Sequence, residues 1–351
     1  MLAKVKTAAV VGLDAQEVEV EVDIMGGLPA MNIVGLPDTA VQEARERVRS
    51  AVRNSGCYFP MKRITVNLAP ADLKKAGPAY DLPIAVGVLL SSEQIRVDGS
   101  GMLFLGELSL DGGLRHTRGI ISMVDLAREK GIPEVFVPAA DAKEASLVKG
   151  VSIIPVSTLT QLVAHLRGDT IISSYIASES EIEAVDQPSQ AMDLSFIKGQ
   201  EHVKRALEVA AAGGHNVIMS GPPGSGKTLL ARSLPTILPR MAIEEALEVT
   251  KIYSVSGLLP QDTPLLRQRP FRAPHYTISH AGQIEGGSYQ SNKGDLDSLK
   301  HYRAVVGIGL SSLARISYLS HVGTSLPRGR AWFLSDSVQP VSRSRPPLGS
   351  E

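Results

Sequence analysis

The chain has 351 residues, enough for two domains with full cores, and is 43% apolar and 21% charged. Lys plus Arg and Asp plus Glu each number 36, so overall charge argues neither for nor against a nucleic-acid partner, and any basic site must be local. A single cysteine, Cys57, excludes a disulfide framework, and no run approaches the ~20 apolar residues that span a bilayer, so a soluble cytoplasmic protein without a membrane partner is expected. The apolar run before Asp14 is too short for a signal sequence.

Residues 6–37 read as strands: Glu17–Asp23 (EVEVEVD) alternates acid and valine, the period of a strand with one wet face. Gly26-Gly27 and Gly35-Leu36-Pro37 are turn signals. Thr39 and Gln42 have capping-box spacing, and Val41, Ala44, Val48, Ala51 and Val52 make one apolar helical stripe that ends near Gly56. Arg63–Leu68 alternates again, Leu82–Leu90 reads as a buried helix, and Leu103–Leu110 followed by Asp111-Gly112-Gly113 reads as strand and turn. Ile120–Lys130, Ala139–Val148 and Ser157–Arg167 look helical, separated by the apolar runs Glu134–Val137 and Val151–Pro155. The sum is an α+β domain of about 165 residues. Ile171–Gln190 is acidic and serine-bearing and reads as a linker, the alternative being a peripheral helix packed on one domain. From Asp193 a second domain begins, with a helix over Glu201–Ala212 whose apolar positions are Val203, Ala206, Leu207 and Ala210.

The second domain carries the most specific motif. Gly221, Pro222, Pro223, Gly224, Ser225, Gly226, Lys227 and Thr228 fit the phosphate-loop pattern G-x-x-x-x-G-K-[ST], between the apolar run Val217–Met219 and a helix over Thr228–Leu234. The glycines open backbone conformations that let several N–H groups point at one phosphate. Lys227 can place its ammonium between the β- and γ-phosphates, and the Thr228 hydroxyl can take one position on Mg²⁺. ATP and Mg²⁺ are therefore the expected ligands. Arg267, Arg269, Arg272, His275 and His280, with Phe271 and Tyr276 among them, suit a single-stranded nucleic acid, or equally a solvated loop with two aromatics in the core. The eight histidines show no metal-ligand spacing, and Lys62-Arg63 and Lys74-Lys75 read as ordinary charges rather than basic patches.

Ile197-Lys198-Gly199-Gln200, Glu201–His215, the phosphate loop and Arg269–Ser288 resemble the magnesium-chelatase-like AAA+ ATPases of the YifB/ComM type. Gly35–Asp38, Asn67–Asp72 and Lys75–Asp81 resemble that family's N-terminal domain, so the resemblance covers residues 1–288. It implies a cytoplasmic, ATP-dependent homo-oligomeric ring, hexameric in an intact member, acting on DNA as a helicase in branch migration during transformation or recombination. It adds Lys198, Gly199 and Gln200 to the nucleotide site, and Arg269, Arg272 and His275 as possible DNA contacts. Despite the family's name, nothing in the sequence points to insertion of magnesium into a porphyrin. The N-terminal domain in turn resembles the Lon protease domain, a ribosomal-S5-like fold whose chemistry needs a Ser–Lys dyad. Ala79 and Ile121 stand where the nucleophile and base would be, and nearby Ser122 and Lys130 read as helix surface, so no protease is expected.

The expected partition is a Lon-like domain over 1–168, a linker over 169–192, the N-terminal part of an α/β P-loop AAA+ domain over 193–288, and a tail over 289–351. The ATPase chemistry needs an apolar strand ending in Asp-Glu. The candidate strand, Ala304–Leu310, is followed by Ser311-Ser312-Leu313, and no acid occurs from Ser298 to Ser335. No catalytic residue is therefore identified, and the resemblance is lost from Tyr289, including its later polar sensor and the arginines that reach a neighbour's nucleotide. The tail is either a divergent basic segment or the product of a reading-frame change. The expected protein binds ATP but hydrolyses it poorly, the alternative being a nucleotide-binding adaptor that never hydrolyses.

Overall fold

The computed structural model describes residues 2–73, 75, 77–176, 193–215, 217–220, 224–260, 263–267, 269–271, 303–308, 313–319 and 332–334. The chain divides into two compact units, Met1–Val185 with Glu244–Leu266, and Asp186–Ile243 with Arg267–Glu351.

The first unit is built on β1 (Ala3–Val11), β2 (Asp14–Met25), β3 (Ala30–Val34), β4 (Arg63–Ala69), β5 (Met102–Phe104), β8 (Glu134–Pro138) and β9 (Ser152–Val156). They form one sheet in the order β3-β4-β2-β1-β5-β8-β9. Only β1–β2 and β2–β4 are antiparallel; the other four pairings are parallel. The architecture is thus mixed α/β with a mostly parallel sheet. The pairing explains the two sequence textures. In β2, Val18, Val20 and Val22 are buried while the alternating acids lie on the other face, as antiparallel strands with one wet face require. In β8 the run Val135–Pro138 is apolar and buried because both faces are covered. Phe136 joins the core under α1 (Thr39–Asn54), α2 (Asp81–Ser91) and α5 (Leu159–Arg167), stacked on Phe104 at 4.7 Å between ring centres. Val135 and Val137 join the opposite core under α3 (Ile120–Glu129) and α4 (Ala142–Ala145).

The stripe read from the sequence of α1 is its buried face: Val41, Ala44, Val48, Ala51 and Val52 are all sealed from solvent. Each valine contributes roughly 1.5–3 kcal/mol of apolar burial. The cap differs from the sequence expectation. Asp38, not Thr39, is the N-cap, its Oδ1 accepting the Val41 N–H at 2.8 Å, one residue earlier than the capping box would place it. Gly35 makes the tight approach into this helix: φ is +98°, and a Cβ there would stand 2.2 Å from the Leu68 carbonyl oxygen.

Three further expectations change. Leu103–Leu110 is not one strand: it breaks after Phe104, and β6 (Glu107–Leu108) pairs instead with β7 (Leu114–Arg115). The helix expected over Ala139–Val148 shrinks to a 3₁₀ turn and the four residues of α4. Ser122, expected on a helix surface, is buried with its hydroxyl donating to the Leu13 carbonyl at 2.6 Å, whereas Lys130 is exposed as expected. The start of the expected linker lies on the first unit: Ile172 is buried and its N–H donates to His165 Nδ1 at 2.9 Å.

Lys75 is not an ordinary surface charge. Its side chain is fully buried, its ammonium donates to the Pro70 carbonyl, and burial lowers its pKa from the ordinary 10.5. The unfolded chain then holds that proton more tightly than the folded one, so stability should rise as pH climbs through the folded value toward 10.5. Lys75→Met is expected to change stability at pH 8 by no more than about 1 kcal/mol and to flatten that rise. Urea unfolding at pH 8 and pH 10 checks both; a large loss on substitution, or an unchanged pH slope, would contradict it.

The second unit contains α6 (Glu201–Gly213), β10 (Val217–Ser220), α7 (Lys227–Ser233), and β11 (Arg303–Ile308), β12 (Leu313–Leu319) and β13 (Trp332–Leu334). Its sheet runs β11-β12-β10-β13, with β10 parallel to β13 and antiparallel to β12. A helix not anticipated from the sequence, α8 (Ile243–Val255), belongs to the first unit for all but its first residue. Among the described residues no helix is long and apolar enough to cross a membrane.

Candidate nucleotide-binding site

The expected loop sits between β10 and α7, the strand–turn–helix context that the motif requires. Gly221, Pro222 and Pro223 lie outside the described residues. Gly224 and Gly226 have φ of +81° and +82°, and space is open where a Cβ would stand on either. Gly226 is the N-cap of α7 and no side chain caps that end. The helix dipole at this end favours an anion. Lys227 Nζ donates to Ser225 Oγ at 3.2 Å, which lays the ammonium back along the loop, and Thr228 is exposed. Leu230, Ala231 and Ser233 anchor the helix below, Ser233 through a hydrogen bond to the Leu230 carbonyl at 2.9 Å. These features fit a phosphate ester with Mg²⁺ on the Thr228 hydroxyl.

Lys198, Gly199 and Gln200 form an exposed turn immediately before α6. Gln200 is its N-cap in the left-handed region, φ +58°, a strained setting for a residue with a side chain. Buried Ile197, α6 through Val203, Leu207 and Ala210, β10 through Val217 and Met219, and α7 through Leu230 and Ala231 share one core. The turn and the phosphate loop are therefore mounted on a common support. Of the possible DNA contacts, Arg269 donates through Nε to the Pro239 carbonyl at 3.0 Å, and Phe271 packs against that core. Arg272 and His275 lie outside the described residues. The strand expected over Ala304–Leu310 is β11, paired antiparallel with β12, which separates it from β10.

Elsewhere, His116, Asp141 and Glu144 bring ligand-type atoms within 4.8 Å of one another. Each already has a partner: His116 Nδ1 lies 2.5 Å from Asp141 Oδ1, the Thr117 N–H donates to Asp141 Oδ2 at 2.8 Å, and Ser254 meets Glu144. The cluster caps the start of α3, where the positive end of the helix opposes a cation. Sequence spacing did not single it out, because His116 stands 25 residues from Asp141.

Comparison with known proteins defines the class. Residues 20–141 match the family described as subunit ChlI of Mg-chelatase, and residues 193–304 match that described as magnesium chelatase, subunit ChlI. An uncharacterized protein of Mycobacterium tuberculosis H37Rv is 43% identical over 331 residues, covering 93% of this chain and 64% of the relative. YifB of Escherichia coli K12 and the competence protein ComM of Haemophilus influenzae Rd are each 42% identical, over 288 and 294 residues, covering 82% of this chain and 56% of theirs. A shorter stretch of 93 residues is 31% identical to the archaeal Lon protease of Methanothermobacter thermautotrophicus, covering 25% of this chain and 14% of that one. The chain belongs to the magnesium-chelatase-like proteins, and within them it is of the YifB/ComM type. It spans between half and two thirds of the length of these long matches. The similarity also outlasts residue 288, where the resemblance was read to stop: the second family match runs to residue 304, and the mycobacterial match covers 93% of the chain.

Proposed function

We propose that this chain binds Mg²⁺·ATP at residues 221–228 and does not turn it over, serving as a nucleotide-holding adaptor derived from a DNA-directed motor. The observation that carries the reading is the uncapped helix start at Gly226, followed by Lys227 and an exposed Thr228, in the loop after β10. The N–H groups of the first turn would hold the phosphates, Lys227 would neutralise the β- and γ-oxygens, and Thr228 would hold Mg²⁺. Bound Mg²⁺ supplies charge neutralisation on the β- and γ-phosphates. Lys198–Gln200 would border the nucleotide, as in the family. Hydrolysis further requires acids that order Mg²⁺ and water, and β11 is followed in sequence by Gly309-Leu310-Ser311-Ser312, with no Asp or Glu from Ser298 to Ser335.

The first unit is read as a Lon-like, S5-like domain without proteolytic chemistry. Ala79 has no nucleophile and Ile121 is 1% exposed in the core. The second unit is read as an incomplete AAA+ module. The relation to a competence protein supports DNA as the partner of the family's ring. A cytoplasmic location follows from the same reading.

Phosphate release from Mg²⁺·ATP, with and without single-stranded DNA, tests the proposal on the whole chain. The expected rate is the background rate and is unchanged in Lys227→Ala, and casein in the same mixture stays intact. Turnover near the ~10 s⁻¹ typical of enzymes, lost in Lys227→Ala, would show that other groups replace the missing acids.

A further inference from the structure

Helix α1 has a solvent face that the core does not explain. It carries four arginines against two glutamates, in a chain whose charges balance overall. Arg47 is accounted for by buried Asp81, and Glu43 leans toward Arg47 at 3.7 Å. The other three, Arg45, Arg49 and Arg53, recur every fourth residue. They stand about 6 Å apart along the axis and within about 80° of the helix circumference. Arg45 and Arg53 are exposed and Arg49 is half-buried. Among the described residues none of the three forms an ion pair, whereas Arg96, Arg115 and Arg128 of the same unit are each paired with an acid. Glu46, the acid beside the row, is exposed and makes no ion pair with it. Like charges four residues apart on a helix repel, so the row works against the folded chain on its own.

The row runs toward an exposed aromatic residue. Just past the end of α1, Tyr58 is 63% exposed, on a loop that Gln94 holds in place. The Tyr58 N–H donates to Gln94 Oε1 at 2.8 Å, and the Tyr58 carbonyl accepts from Gln94 Nε2 at 2.7 Å. The Gln94 carbonyl accepts from Arg167 Nε at 3.1 Å, which ties a fourth exposed guanidinium, at the end of α5, to the same loop. On the opposite face of the sheet the bases are already satisfied: Lys4 meets Glu19 and Glu21, and Lys6 meets Glu17.

We propose that Arg45, Arg49 and Arg53 form a track for the phosphates of a single-stranded nucleic acid, with Tyr58 as the platform for a base at its end and Arg167 as a further phosphate contact. The row is all arginine, and a guanidinium fork matches the oxygens of a phosphate. Three such groups at one stride can be met by one polyanion, which also removes their mutual repulsion. The exposed ring adds what a phosphate track lacks, a face on which an unpaired base stacks. Contacts to phosphates and to the face of a base carry no sequence information, so binding is indifferent to sequence. The choice of DNA over other nucleic acids rests on the proposed relation to a DNA-directed motor; the track itself does not. Replacing the row by alanine removes no ion pair and one surface hydrogen bond, from Arg45 Nε to the Gln42 carbonyl at 3.0 Å. Alanine favours a helix, so the variant is expected to keep the parent's thermal midpoint.

Photo-crosslinking on the full chain, without ATP, tests the proposal at this site alone. An oligothymidylate of about twelve nucleotides carrying one iodouracil is irradiated with the protein, and the crosslinked peptides are identified by mass spectrometry. The peptide holding Tyr58 is expected to carry the crosslink. Its yield against strand concentration, between roughly 50 and 200 mM salt, gives the local affinity and its salt slope. In Arg45→Ala/Arg49→Ala/Arg53→Ala the half-saturating concentration should rise about tenfold or more at the lowest salt. The slope should shrink by about 2, at about 0.7 for each of the lost phosphates. Arg63→Ala/Lys130→Ala/Lys149→Ala removes the same charge from exposed positions outside the track and should crosslink like the parent. Four results would each overturn the proposal. They are no crosslink at Tyr58 in the parent, an unchanged yield in the arginine variant, an equal loss in the control, and displacement by polyglutamate as effective as by unlabelled oligothymidylate. The last would assign the row to an acidic protein. ATP retention is scored separately, so a failure here and a failure of the nucleotide reading are told apart.

Discussion

Lys227→Ala is expected to abolish the stabilisation of this protein by Mg²⁺·ATP. At nucleotide a hundred times its Kd, binding to the folded state alone contributes about 2.7 kcal/mol, several degrees in a thermal scan. The ammonium is the main side-chain charge available to the phosphates, and the open loop around Gly224 and Gly226 offers only N–H dipoles in its place. The scan without nucleotide is run for parent and variant alike, so that any effect of losing the Lys227–Ser225 hydrogen bond is separated from the loss of nucleotide binding. A variant that keeps the full shift would move the nucleotide away from this loop.

Arg47→Met is expected to be the most damaging single change to the first unit. Arg47 of α1 donates through Nε to Asp81 Oδ2 at 2.6 Å and through Nη2 to Oδ1 at 3.0 Å, and Nη2 also reaches the Ala40 carbonyl. The Asp81 side chain is wholly buried and that of Arg47 is 20% exposed. Burial pushes the Asp81 carboxyl up, and the guanidinium, with the Leu108 N–H, draws it back. Without Arg47 a carboxylate is left in the core with one N–H, which costs about 3–5 kcal/mol, a large share of a domain's 5–15. The variant's Asp81 then titrates higher still, so its deficit should be smaller at pH 5 than at pH 8. Adding Asp81→Asn should restore much of the loss. Denaturant unfolding of the three proteins at both pH values measures this; a loss below 1 kcal/mol, or a deficit independent of pH, would contradict it.

The elements legible in the sequence are those whose cause is local. The valine alternation of β2 and the five-residue stripe of α1 are each set by one face meeting one core, and both lie where the pattern places them. The phosphate loop is legible for the same reason, its glycines and lysine being consecutive. What was missed depends on partners distant in sequence. Lys75 reads as a surface charge until the loop carrying it closes over the Pro70 carbonyl. Ser122 reads as helix surface until the turn at Leu13 lies against it. In the candidate site, Gln200 carries no local signal for its left-handed backbone. The cap of α3 is invisible to any window, since Ser254 and Gly119 are 135 residues apart.

The central claim, that the phosphate loop holds ATP which the chain does not cleave, is tested most directly by identifying the nucleotide that stays bound. The full chain is incubated with Mg²⁺ and ATP, separated from free nucleotide, and the retained nucleotide is analysed by chromatography. Intact ATP approaching one per chain, and none in Lys227→Ala, is the predicted result. Retained ADP with phosphate released, or no retained nucleotide in the parent protein, would contradict it.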